Sequence, residues 1–256
     1  MIKMKKLILP AILALTIIFA SCAEMMTVLQ SSTSSLPLTE DEVVSGLKEA
    51  LITGARNSST RLGAIDGYFG DEAIKILLPE EARVIVDNLS KIPGGDKLVQ
   101  DAILSINRAA EDAAREVAPI FVNSVKQMTI GDAFGILNGA DDAATQYLNR
   151  TTYKEIFTLY SPKIQASVEK PLVGGISTQD SWDELTGQWN KLAGSVAGRL
   201  AGFKPVETNL TEYLTGKALD GMFKKVAEEE LKIRRDIDAR VSPVLRRVFG
   251  TLDHQL

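Results

Sequence analysis

The chain has 256 residues, of which 45% are hydrophobic, a formal charge of −4, one cysteine and one histidine. That size suits one domain or two small ones, and the composition leaves no disulfide framework, no thiolate zinc site and no His-rich metal site. The acidic balance argues against nucleic acid as the main partner, because phosphate binding relies on excess Lys and Arg.

Lys3, Lys5 and Lys6 make a positive start, Leu7 to Phe19 an apolar run, and Ala20-Ser21-Cys22 a small-residue site ending on the cysteine. This is the layout of a secretory leader, and the position of the cysteine makes it a lipoprotein leader over residues 1–21, with acylation at Cys22. The alternative is an ordinary secretory peptide with a chance cysteine. The apolar run falls short of the roughly 20 residues that a membrane-spanning helix needs, and Pro10 would weaken a longer span. Acyl chains on Cys22 would hold the protein to a membrane, each buried methylene contributing about 0.8 kcal/mol. Ala23, where Asp would signal inner-membrane retention in the enterobacterial rule, points to the outer membrane, facing the periplasm. Without the leader, 26 basic and 33 acidic residues give a formal charge of −7.

Residues 22–38 are rich in Ser and Thr and low in charge, and read as a flexible tether. A helical domain is expected over 39–256. Thr39 and Glu42 form a capping box, followed by Val43, Val44, Leu47, Leu51 and Ile52 at helical spacing. Gly63, Gly67 and Gly70 break this helix, and Ala73 to Pro79 reads as extended or a single turn. Glu80 to Ile92 reads as a helix stopped by Pro93-Gly94-Gly95. Asp96 to Val117 is a strong helix with Leu98, Ala102, Ile106, Ala109 and Ala113 on one apolar face. Pro119 kinks it or starts a new helix through Met128.

Thr129 is expected to cap a short helix ending at Gly139, and Asp141 or Asp142 to start another through Arg150. Thr152 and Glu155 read as a second capping box opening a helix to about Lys170. Residues 171–179 are a loop, Ser181 to Val196 a helix carrying Trp182 and Trp189, and 198–205 a break. Asn209 starts a long helix, and Ser242-Pro243 starts a short last one with proline at its first position. No alternating strand pattern of useful length appears, so the fold class is all-α: a multi-helix bundle with room for one short extended segment.

Between residues 107 and 148 the chain carries Asn107-Arg108-Ala109-Ala110-Glu111, Ala118-Pro119-Ile120-Phe121, Lys126-Gln127-Met128-Thr129, Gly139-Ala140-Asp141-Asp142-Ala143-Ala144-Thr145 and Tyr147. Ala218 to Phe223, Ala227 to Glu230 and Ile233-Arg234 follow. In combination these resemble a bacterial envelope protein family catalogued only as a domain of unknown function, over about Pro37 to Gly250. The resemblance implies a helical, periplasm-facing protein with a leader. It implies no activity, cofactor or catalytic residue.

Two polar clusters are candidate binding sites. Asp141, Asp142, Gln146, Tyr147 and Arg150 stand together, with Asp142, Gln146 and Arg150 on one helix face. They could hold a cation or a proton donor. Structurally, Asp141 would cap the helix and Asp142 complement its dipole. Asn107, Arg108, Glu111 and Asp112 form a polar island in an alanine-rich helix, either a buried ion network and ligand contact or a solvated stripe.

Asp66 to Glu72 resembles a calcium loop only faintly and reads as a capped turn. Glu228-Glu229-Glu230 with Lys232, Arg234 and Arg235 reads as a solvated helix face with Glu230 to Arg234 pairing. The tryptophans read as core. The expected function is a non-enzymatic binding or scaffolding module of the envelope, taking a lipid, a peptide or an envelope protein between its helices, with no catalytic residue, metal or cofactor assigned. The alternative is a hydrolase of cell-wall glycan using two carboxylates, Glu111 and Asp142 being the pair to inspect.

Overall fold

The computed structural model describes residues 36–89 and 95–254. The leader, Cys22, most of the tether and the Pro93-Gly94 stop lie outside the described residues. The chain divides into two compact units, residues 1–42 and 43–256. In the first, Thr39 Oγ1 accepts from the Glu42 amide at 3.3 Å and Glu42 accepts from the Thr39 amide at 3.0 Å, the expected capping box.

Ten α-helices follow among the described residues: α1 Glu40–Leu62, α2 Arg83–Leu89, α3 Gly95–Ala114, α4 Val117–Gln127, α5 Ala133–Leu137, α6 Ala143–Val168, α7 Thr178–Gly194, α8 Val196–Leu200, α9 Leu210–Arg235 and α10 Pro243–Phe249. No β-strand occurs among them, and the fold is all-α. The one extended feature is an isolated bridge between Val173 and Ile176. Gly174 and Gly175, at φ 60° and 79°, make the tight turn between them, a conformation open to glycine at little cost.

The core sits where α3, α6 and α9 pack against one another. α3 contributes Ile106, Ala109 and Ala113, α6 contributes Leu148, Ile156 and Tyr160, and α9 contributes Leu214, Ala218 and Val226, all buried. The small α3 residues allow close helix approach, as their spacing predicts. α1 joins α3 through Ser59, whose hydroxyl donates to the Ala114 carbonyl at 2.6 Å.

Several expected boundaries hold. Pro119 lies in the first turn of α4, where its missing N–H costs nothing. Asn209 and Ser242 cap α9 and α10, accepting from the Glu212 and Leu245 amides. Others are corrected. The cap of α5 is Asp132, whose carboxylate accepts from the Gly135 amide at 2.8 Å, and not Thr129. Thr152 opens no new helix: α6 runs unbroken for 26 residues, and the Thr152 hydroxyl donates back to the Leu148 carbonyl at 2.6 Å. A capping-box pattern inside a long helix is satisfied equally well by this backbonding, so pattern alone could not distinguish them. α7 starts three residues earlier than expected, capped by Ser177.

Candidate functional site

The polar island on α3 points inward and is fully occupied by the chain itself. Asn107 is completely buried. Its Oδ1 accepts from the Ile76 amide at 2.9 Å, and its Nδ2 donates to the Ile76 carbonyl at 2.7 Å and to the Ile103 carbonyl at 2.7 Å. It thereby serves the segment before Pro79 as a neighbouring strand would. One Glu111 oxygen accepts from the Tyr68 and Phe69 amides, both at 3.1 Å, and the other from Arg108 at 2.5 Å. Arg108 donates onward to Asp66 at 2.7 Å, where the turn adopts φ 64°. These residues clamp the 63–79 turn to the helix. Tyr68, which the turn carries inward, donates to the Ala218 carbonyl at 2.7 Å, and Gly221 leaves room for its ring. Asp112 accepts from Ser167 and Lys170.

The second cluster does not converge on a ligand space. Asp141 takes a forked pair from Arg235, with Oδ1 at 2.9 Å from the nearest guanidinium nitrogen. Asp142 stands at the N-cap of α6 but makes no side-chain cap, and accepts from Gln146 at 2.7 Å instead. Tyr147 donates to the Thr129 carbonyl at 2.6 Å, and the Arg150 guanidinium lies 5.3 Å from its ring centre.

The helix start is capped from elsewhere. Glu230, on α9, accepts from the Ala144 amide at 3.0 Å and from the Thr145 amide and hydroxyl at 2.7 Å. Arg234 pairs with Glu230 at 2.8 Å and donates to the Leu137 and Ile136 carbonyls at the end of α5. The carboxylate complements the positive end of α6 and the guanidinium the negative end of α5. Glu230 and Arg234 are 1% and 3% exposed. The pairing is the one the spacing predicts, but the expectation of a solvated face is corrected for these two residues.

The space suited to a ligand lies elsewhere, among residues the sequence reading treated as core or loop. α2, α3, α7 and the 173–176 turn enclose a groove of about 660 Å³. Ile85, Leu98, Ala102, Val173, Ile176, Leu185, Trp189 and Leu192 are its apolar lining. Leu98, placed on the buried face of α3 by its spacing, is instead 56% exposed and faces the groove. Polar groups border the groove, among them Gln188, Glu184 and the Lys97–Asp101 pair at 2.5 Å. A concave, mainly apolar space of this size with a few polar groups is the ordinary form of a small-ligand site. Trp182, Leu185, Trp189 and Leu192 recur at three- and four-residue intervals along α7, and that stripe was the available signal.

Three other spaces are poorer. A notch of about 430 Å³ beside Gly216 is bordered by Phe157, Tyr213 and Asp220. Another of about 430 Å³ lies over the 61–72 turn, where Asp66 and Asp71 are already paired with Arg108, Arg61 and Lys225. The third, about 130 Å³, adjoins Arg234 and Arg235. Neither Glu111 nor Asp142 lines any of these spaces or the groove. Among the described residues no group of His, Cys, Asp and Glu is placed to hold a metal ion. Among the same residues, no helix is long and apolar enough to cross a membrane.

Burial pushes Tyr213 up to about 12, and Glu81 and Glu80 add to the effect; its hydroxyl donates to the Leu77 carbonyl at 2.9 Å. Asp71 is lowered from its ordinary value chiefly by the hydrogen bond from Lys225. Both perturbed groups lie outside the groove.

No curated protein and no solved structure matches the chain. A family model does match it, over residues 37–250, and that span covers all ten α-helices described above. The chain belongs to the family described as protein of unknown function, DUF4197.

Proposed function

We propose that this protein is a lipid-anchored protein of the cell envelope, held to the outer membrane through acylated Cys22 and facing the periplasm. It binds an acyl chain or a similarly elongated apolar ligand without transforming it. The observation that carries this reading is the apolar groove between α2, α3 and α7, about 660 Å³ in volume. Its walls are helix side chains and the short 173–176 turn, and among the described residues no β-strand borders it to pair with an extended peptide, which favours an apolar chain over a peptide. The anchor rests on the leader layout from Lys3 to Cys22. A glycan hydrolase gains no support, since both oxygens of Glu111 are taken by backbone amides and Arg108.

The test is native mass spectrometry of the protein purified gently from its own membrane, together with titration by a fluorescent fatty acid. The expected result is one bound lipid per chain, with probe binding lost in Leu98→Glu. A chain free of bound species that also ignores the probe would sink the reading. A protein recovered at a fixed ratio would replace the apolar ligand with a partner.

A further inference from the structure

The end of α7, α8 and the turn after it form an apolar, basic projection, and we propose that this projection docks on the surface of an anionic phospholipid bilayer.

From Leu185 to Val206 the chain has no Asp or Glu, but carries Lys191, Arg199 and Lys204. The acids of α7, Asp180, Asp183 and Glu184, all lie in its first half. Charge is therefore segregated along the helix, in a chain that is acidic overall. Leu192, Val196 and Leu200 are 47%, 67% and 85% exposed, the last the highest among the large apolar residues described. The three basic side chains of the same stretch are exposed as well. Clustered exposed apolar residues mark an interaction surface. Basic residues interleaved with them are what an anionic lipid surface attracts, at about 1 kcal/mol each near the headgroups.

The exposure is built into the fold. Gly198 packs so closely on the end of α7 that a Cβ there would fall 2.1 Å from the Leu192 carbonyl oxygen. Ser195 caps α8, accepting from the Gly198 amide at 3.0 Å and donating to the Leu192 carbonyl at 2.7 Å. Trp189 donates to the Lys204 carbonyl at 2.9 Å and packs against Phe203, with ring centres 4.9 Å apart. Asn190 bonds both backbone groups of Val206, at 2.9 and 2.7 Å. These contacts fix α8 and the chain after it against the end of α7, with Val196 and Leu200 left exposed. The docking requires neither acylation nor an occupied groove; Leu192 borders both surfaces, while Val196, Arg199 and Leu200 belong to the projection and do not line the groove.

The test uses the chain from residue 22 onward carrying Cys22→Ala, so that no acyl chain tethers it; the core lies within Val43–Phe249 and is untouched. Co-sedimentation is measured with vesicles of phosphatidylethanolamine and phosphatidylglycerol at 3:2, and with pure phosphatidylcholine. Binding is expected to the first and at least tenfold weaker to the second, and to fall as salt is raised to 0.5 M. Val196→Glu with Leu200→Glu, both at exposed positions, should weaken binding at least tenfold with an unchanged circular dichroism spectrum, and Arg199→Glu about fivefold. Leu98→Glu, in the groove, should leave vesicle binding unchanged and so separates the two readings. Equal binding to both vesicles, or full binding by the double variant, overturns the proposal. So does a dimer in size-exclusion chromatography that dissociates in the double variant, since the projection would then be covered by a second copy.

Discussion

The body formed by α3, α6 and α9 and the open face formed by α7 and α8 use their residues in opposite ways. In the body, polar side chains go inside and the charged and amide groups are answered: Asn107, Glu111, Glu230 and Arg234 satisfy backbone groups and one another, while the buried Tyr160 hydroxyl has no partner among the described residues. On the open face, apolar side chains stay outside: Leu192, Val196 and Leu200 on α7 and α8, with Leu98 of α3 exposed across the groove from them. Buried polar groups are tolerated only when hydrogen-bonded, so the striking-looking polar clusters of the sequence are the ones already saturated. Unsaturated capacity for interaction resides in the apolar residues left in water.

That contrast can be broken most forcefully at Glu230. Glu230→Ala strips two amides of α6 of their acceptor and leaves Arg234 buried without its carboxylate. Removing one member of a buried pair costs about 3–5 kcal/mol, so urea denaturation should show a loss of that order. A loss below about 1 kcal/mol would mean that water reaches the pair and that body and face are not so different. Asn107→Ala should cost about 1–3 kcal/mol, the desolvation penalty of unpaired groups. It should also open the 71–79 segment to limited proteolysis.

Acid should act on the body. Asp71 is held below its ordinary 3.8 by Lys225, so its contribution is complete above that value and is lost as pH falls through the lower folded value. Thermal melts from pH 5 down to pH 2 should show a decline that Asp71→Asn lessens. The smallest stability effect belongs to the open face. Leu98→Glu should change unfolding free energy by no more than about 0.5 kcal/mol, while abolishing fatty-acid binding. A large destabilisation there would show that Leu98 belongs to the core after all.

The helix ends were largely legible because a cap is a contact among residues three or four apart: Thr39 with Glu42, Asn209 with Glu212, Ser242 with Leu245. The same locality misled at Thr152 and Thr129, where an alternative local bond or another nearby acid was available. The polar residues of the α3 island, Asn107, Arg108, Glu111 and Asp112, are legible in the sequence with either a buried or a solvated fate. The island's burial depended on the 63–79 turn closing over it. The groove was missed because an apolar residue on an amphipathic helix looks the same whether a neighbour covers it or not.

The sequence by itself determined the all-α class and most helix boundaries, since these follow from side-chain periodicity and contacts within one turn. Only the tertiary structure decided which charges are buried and which apolar residues remain open. Glu230 caps a helix 86 residues away, and no local pattern marks it. Burial belongs to what packs around a residue, and that is settled only when distant segments meet.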